Sequence, residues 1–258
     1  MMENPVVLFE VRERVGVVTL NHPEKRNALS RAMLESLRST FARISEDRQV
    51  KVVVLRAAGT VFSSGHDLKE LAAADESTAA AIFSLCTEVM EAVRKLPQPV
   101  IGMIQGLATA AGCQLAATCD LVMAADTAYF ATPGVKIGLF CTTPSVALCR
   151  AVPTKKSLEM LFTGNPLSAA EAEQVGLVNH VVPADMLEIE TFKLANQIAA
   201  SSAHTLRLGK QAFYAQLPLE RSAAYAYAQQ CMVDNLAAPD AKEGIQAFLA
   251  KRPPQWQD

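Results

Sequence analysis

The stretch VFSSGHDLKEL, Val61 to Leu71, gathers two serines, a histidine and an aspartate around Gly65. It follows the apolar run VKVVVLRAAG and leads into a helical pattern. The imidazole of His66 could donate to a carboxylate or carbonyl, or titrate near neutrality. The backbone offers a second kind of chemistry. A helix start carries free N–H groups and a partial positive charge, and small residues let a ligand approach that backbone closely. The stretch QGLATAAGCQL has the same logic, with a strand ending at Gly106 and small residues running through Ala111 and Gly112 into a helix. Two N–H groups aimed at one point form an oxyanion hole, and losing one donor typically costs roughly 3–4 kcal/mol of transition-state stabilisation. Cys113 and Cys141 are further nucleophile candidates, but neither has an evident basic partner, so inert packing is expected. Asp67 and Glu70 stand in the first turn after the glycine, where a cap or the helix dipole accounts for them. His22 lies in a loop, and structural roles are expected for His180 and His204.

The elements that must hold these residues follow from periodicity. Val7 to Asn21 alternates and is rich in valine, which reads as two strands turning near Arg14. In RAMLESLRSTFARISED the apolar residues Met33, Leu34, Leu37, Phe41 and Ile44 have helical spacing. VKVVVLRA is a buried strand, STAAAIFSLCTEVMEAVRKL a helix, QPVIGMIQG a strand, ATAAGCQLAATCD a small-residue helix and LVMAAD a further strand. Strands alternating with helices predict an α/β fold with crossover connections. From about Lys155 the pattern turns mostly helical. The expected division is an α/β core over residues 1–195 and a helical region over 196–258.

The chain has 258 residues, half of them apolar and 19% charged, enough for one large core. A formal charge of −2 without a basic patch gives no electrostatic case for nucleic acid. No apolar run approaches the ~20 residues of a membrane span. The opening MMENPVVLFEV lacks a charged segment followed by an apolar one, so no secretion signal is expected. None of the six cysteines forms a CxxC pair, and no His or Cys cluster has zinc-ligand spacing. Free thiols in a reducing compartment are expected, cytoplasmic, or the mitochondrial matrix if a transit peptide was removed.

Six segments occur in the order and spacing of the crotonase superfamily: HPEKRNALS, FSSGHDLKEL, GLATAAGCQLAATCDLVMAAD, FATPGVKIGL, FTGNPLSAAEAEQVGLVNHVV and KEGIQAFLAKRPPQW. The chain resembles this enoyl-CoA hydratase/isomerase family along nearly its whole length. The resemblance implies a spiral of repeated ββα units and a helical C-terminal region that joins subunits into a homotrimer or a dimer of trimers. It implies acyl-CoA thioesters as substrates, with coenzyme A as part of the substrate and no separate cofactor. The family's two oxyanion N–H groups fall on His66 and Ala111. Asp67, Leu68 and Lys69 line the acyl-CoA path with His66, and Lys25 and Arg26 fall where the family meets the CoA adenosine and phosphates. Phe248 and Lys251 match positions that reach a neighbouring subunit's CoA.

The family's hydratases use two carboxylates to place and activate water, one in GGGCEL and one in TPE. Here those motifs read AAGCQL and TPG, with Gln114 and Gly134 in the two positions. A third family position that holds aspartate falls on Thr142. Gln114 can orient water but is no practical proton base. The same FSxGHD pattern occurs in methylmalonyl-CoA decarboxylase of this superfamily, although that enzyme's tyrosine aligns with Cys141. The resemblance therefore implies an acyl-CoA enzyme that stabilises an enolate-like state. Within it stand a hydratase relying on Gln114 or His66, a decarboxylase or other lyase using His66, and a non-catalytic acyl-CoA binder. If the two positions face the substrate as in the family, Gln114→Glu with Gly134→Glu is expected to create hydratase activity.

Overall fold

The structure, a computed structural model, describes residues 5–257. Residues 1–4, weighed above for a secretion signal, and Asp258 lie outside them. The strands are β1 (Val7–Arg12), β2 (Val15–Leu20), β3 (Val52–Ala57), β4 (Val61–Ser63), β5 (Val100–Ile104), β6 (Leu107–Thr109), β7 (Leu121–Ala125), β8 (Tyr129–Ala131), β9 (Leu167–Ser168) and β10 (His180–Val182). The helices are α1 (Arg31–Glu46), α2 (Leu68–Ala73), α3 (Glu76–Lys95), α4 (Ala111–Thr118), α5 (Thr142–Ala151), α6 (Thr154–Thr163), α7 (Ala169–Gln174), α8 (Leu187–Ala199), α9 (Ala203–Gln216), α10 (Arg221–Ala237) and α11 (Pro239–Leu249).

Two sheets result. The larger runs β1-β2-β3-β5-β7-β10, antiparallel only between β1 and β2. The smaller runs β4-β6-β8-β9 and is parallel up to β8. Each turn of the chain lays one strand in each sheet and then a helix, so the smaller sheet stacks the segments that follow β3, β5 and β7. The hairpin at Glu13–Arg14, helix α1 and the buried strands β3, β5 and β7 stand where periodicity places them. The five apolar positions read in α1 are all buried. Continuous burial along β2 and β5 is that of parallel strands covered on both faces.

Sequence periodicity misses the smaller sheet. ATAAGCQL is not one small-residue helix: Leu107–Thr109 forms β6 before α4 begins at Ala111. Strands of two or three residues contain too few positions for an alternation to register. Helix α5, with its low proportion of buried residues, was equally invisible.

Helices α9 to α11 complete the chain. Lys210 of α9 ties them to the core. Its Nζ meets Asp120 Oδ2 at 2.6 Å and donates to the carbonyls of Val93 and Gln98 at 3.0 Å. Tyr214 donates its hydroxyl to Asp120 Oδ1 at 2.7 Å. Asp120 thus has a structural role, joining α9 to the core. Burial pushes the Lys210 ammonium below its usual range although Asp120 pulls the other way. Helix α10 buries none of its residues, and Phe213, Tyr225, Met232, Leu236 and Phe248 are exposed on this region.

Candidate active site

Strand β4 ends at Ser63, and the backbone turns through Ser64 and Gly65 to His66 and the cap of α2. Gly65 has φ +84°, where an L side chain is strained. Space is as restrictive as torsion. A Cβ on Gly65 would lie 2.9 Å from the Ala110 Cβ, 3.0 Å from the Thr109 carbonyl oxygen and 3.1 Å from the Ala111 nitrogen. The two segments singled out in the sequence therefore touch, and a missing side chain lets them.

Ala110 supplies the second half of the turn. Its φ of 51° and ψ of −119° belong to a region that glycine favours. Its N–H donates to the Ala131 carbonyl at 2.9 Å, which fixes the turn against β8. The strained torsion sets the direction of the next peptide, so that Ala111 opens α4 with its N–H outside the strand ladder. Among the described residues neither the His66 nor the Ala111 amide donates to a protein acceptor in turns, loops and caps. Gly112 lets α4 start against β4, since a Cβ there would come within 2.4 Å of the Ser63 carbonyl oxygen.

The loop HPEKRN is bound to the same turn. Leu29 N–H donates to Gly65 O at 2.7 Å and Ser64 N–H to Arg26 O at 3.0 Å. Lys25 and Arg26 are thereby brought beside the turn, with exposed side chains. Asn27, missed in the sequence, organises this contact. It is fully buried with φ 50°, its Nδ2 donates to the Ala58 and Val61 carbonyls at 2.8 Å, and its Oδ1 accepts from His22 N–H at 2.9 Å. Ser63 Oγ donates to Asn27 O at 2.8 Å. The signal available was an asparagine in a loop, which tolerates left-handed geometry.

Asp67 caps α2, accepting from the Lys69 and Glu70 amides at 2.8 and 3.4 Å, as the helix-start reading supposed. Leu68 and Lys69 are exposed on α2. Phe248 is 82% exposed on α11, and Lys251 follows that helix with φ 54°. Among the described residues no hydrogen bond or ring contact joins either to the turn, so one chain does not bring them to the other candidates.

The His66 ring stands edge-on to Phe83 of α3, with centroids 5.3 Å apart, and its Nδ1 lies 3.3 Å from the Leu29 carbonyl oxygen. Burial moves the imidazole below its usual value, outweighing the Leu29 carbonyl and Glu70, which both favour the cation. Gln114 stands one helical turn beyond Ala110, its amide N–H on the Ala110 carbonyl at 3.0 Å. It is buried, and its Oε1 lacks a hydrogen-bond partner among the described residues. The hydroxyls of Thr109 and Thr132 are also buried without partners. These two residues flank the Ala110–Ala131 bond in sequence.

Gly134 is sterically confined. A Cβ there would sit 2.4 Å from the Leu139 carbonyl oxygen and 2.8 Å from Cys141 Sγ. The 3-10 turn Pro133–Ile137 folds back so tightly that Leu139 N–H donates to Gly134 O at 2.9 Å. Glutamate cannot be added here without moving the loop, so the double substitution does not simply restore a second carboxylate. The cysteines pack as expected. Cys113 is buried and its thiol is pushed up to about 12, and burial raises Cys141 as well.

A cleft of about 280 Å³ opens elsewhere, between the end of α1 and the start of α9, lined by Lys51, Gln98, His204 and Arg207. Neither of the two amides faces it. At the turn a strand-to-helix junction lies against a helix start, and among the described residues neither the His66 nor the Ala111 N–H finds a protein acceptor.

The sequence model of the enoyl-CoA hydratase/isomerase family matches residues 10–258. The chain belongs to that family. A mouse relative, enoyl-CoA hydratase domain-containing protein 3, mitochondrial, is 52% identical over 252 residues, covering 96% of this chain and 84% of the relative. A probable enoyl-CoA hydratase of Mycobacterium tuberculosis is 34% identical over 259 residues, covering 99% of each. Among solved structures, human enoyl Coenzyme A hydratase domain-containing protein 3 superposes with a TM-score of 0.94 at 50% identity, covering 97% of this chain and 100% of that one. An enoyl-CoA hydratase of Mycobacterium smegmatis superposes at 0.97 and 45% identity, covering 99% and 100%. The crotonase fold read from six motifs is thus the fold of this enoyl-CoA hydratase/isomerase family member.

Proposed function

We propose that this family member binds an acyl-CoA thioester and stabilises an enolate-like state with the His66 and Ala111 N–H groups. One observation carries the reading: Gly65 brings the two segments together while both amides stay unpaired. A thioester oxygen would take both N–H groups, and charge developing on it would be met by dipoles already in place. Lys25 and Arg26, beside the turn, would meet the CoA phosphates, with Asp67, Leu68 and Lys69 along the acyl path. Phe248 and Lys251 would act across a subunit boundary. The exposed apolar residues of α9 to α11 support an interface between copies of the chain, and the family resemblance makes that assembly a homotrimer or dimer of trimers. Coenzyme A enters as part of the substrate and no separate cofactor is required. The animal relatives are named as mitochondrial, which favours a mitochondrial location for this chain over the cytoplasm.

Hydration of a plain enoyl-CoA fits poorly. The amide of Gln114 can hold water but takes no proton, and Gly134 has neither a side chain nor room for one. Weak or absent hydration is therefore expected. The test is a mass-spectrometric end-point assay on crotonyl-, longer enoyl-, methylmalonyl- and saturated acyl-CoA, with binding measured alongside. Binding with little gain of water is the expected result. A normal hydratase turnover number would overturn the exclusion of hydration, and no affinity for any acyl-CoA would overturn the proposal itself.

A further inference from the structure

The His66 imidazole has a defined tautomer. A carbonyl oxygen only accepts, so the 3.3 Å approach of Nδ1 to Leu29 O requires the proton on Nδ1. The neutral ring then carries its lone pair on Nε2, and that atom is buried without a hydrogen-bond partner among the described residues. A buried acceptor left unpaired costs free energy and calls for an explanation. The neighbouring orphans have a similar character: Gln114 Oε1 accepts only, and the Thr109 and Thr132 hydroxyls stand one residue from the Ala110–Ala131 bond. The site combines donors for an oxyanion with an unoccupied base, and no carboxylate occupies the positions of Gln114 or Gly134.

We propose that Nε2 of His66 is the base of this site, removing a proton from the α-carbon of the bound acyl thioester. The inference rests on the acyl-CoA reading above and deepens it. In the step the Cα–H bond breaks and its electron pair forms the carbon–carbon double bond of the enolate. The carbonyl π pair moves to oxygen, where the His66 and Ala111 N–H groups hold it. The proton goes to Nε2, giving an imidazolium whose Nδ1–H stays on the Leu29 carbonyl, and it returns to carbon afterwards. Nε2 is buried in the free protein, so the step requires that the bound acyl group uncover it. The same tautomer disfavours the decarboxylase use of His66. The carboxylate of a malonyl-type thioester would meet a lone pair instead of a donor.

The charged group that acts on the ring is Glu70 of α2, which favours the cation; the Phe83 ring of α3 and the Leu29 carbonyl are uncharged, and Lys25 and Arg26 of the same loop are exposed. Burial is the larger influence and keeps the ring neutral at physiological pH. The base is therefore present at neutral pH and lost as the medium turns acid.

The experiment is hydrogen exchange of butyryl-CoA in D2O, read as mass gain at the acyl α-carbon, on the whole protein and on His66→Gln. Butyryl-CoA affinity and thermal unfolding are measured for both. Wild type is expected to exchange, with a rate that falls below an inflection under pH 6.5. His66→Gln, which keeps its backbone N–H, is expected to lose roughly 100-fold or more of the rate and the inflection with it. Equal exchange in the folded variant, an inflection above 6.5, or binding without exchange in wild type would overturn the proposal alone. Absence of butyryl-CoA binding would overturn the acyl-CoA reading together with it.

Discussion

Replacing Gly65 by alanine tests how the two amides are brought together. The substitution acts twice. At φ +84° an L residue costs about 1–2 kcal/mol in torsion. The new Cβ also enters a space bounded by the Ala110 Cβ, the Thr109 oxygen and the Ala111 nitrogen at 2.9, 3.0 and 3.1 Å. Overpacking of that kind costs about 1–3 kcal/mol. A narrower unfolded ensemble returns about 0.4–1 kcal/mol. The net expectation is a loss of about 1–5 kcal/mol, read as a lower urea midpoint at unchanged slope. Because two of the three contacts are backbone atoms, the strain is relieved by pushing the β4–α2 turn away from α4. Acyl-CoA affinity should fall even where the variant is folded. Ala110→Gly offers a second arm. Alone it removes the Ala110 torsional strain and should leave stability unchanged or higher. Combined with Gly65→Ala it removes the nearest contact, so the double variant should be less destabilised than the sum of the singles, by about 0.5–2 kcal/mol. Strict additivity, or a Gly65→Ala variant within about 0.5 kcal/mol of wild type, would refute the close approach on which the site is built.

Three further outcomes are expected. Gly134→Glu should destabilise the fold by displacing the Leu139 carbonyl, whereas Gln114→Glu adds a carboxylate without new volume; only the latter should raise crotonyl-CoA hydration in a folded protein, followed by loss of the enoyl absorbance. Lys210→Met should cost about 3–5 kcal/mol in denaturant unfolding, because it leaves Asp120 without its cation. Adding Asp120→Leu should recover part of that. With Cys113 pushed up to about 12, its thiolate fraction at pH 7.5 is on the order of 10⁻⁴ to 10⁻⁵. Brief alkylation of the native protein, read by peptide mapping, should mark exposed Cys149 and spare Cys113.

Much of this was legible beforehand, for identifiable reasons. Helix α1 and strands β2, β3 and β5 bury whole faces, so their periodicity is strong. The turns at Gly65 and Ala111 could be located because small residues mark strand-to-helix junctions, although plain turn chemistry is the commoner use of a glycine there. Strands β4, β6 and β8 were not legible: each is three residues long and exists only through its neighbours. Asn27 was overlooked because its work is done on backbone carbonyls 31 and 34 residues away.

The sequence by itself determined the residue types: a glycine where a side chain would clash, a histidine after it, and no carboxylate at Gln114 or Gly134. Local patterning also settled the alternation of strand and helix, since burial on one face repeats within a few residues. Tertiary structure alone decided that Gly65 lies against Ala110 and Ala111, some 45 residues further along. It decided the His66 tautomer through the Leu29 carbonyl, and it denied Gly134 any room for glutamate. Each involves a backbone atom, the Ala111 nitrogen, the Leu29 carbonyl or the Leu139 carbonyl, that meets a residue it does not adjoin in sequence. Backbone atoms are the same for nearly every residue, so no side-chain pattern along the chain records which of them will meet.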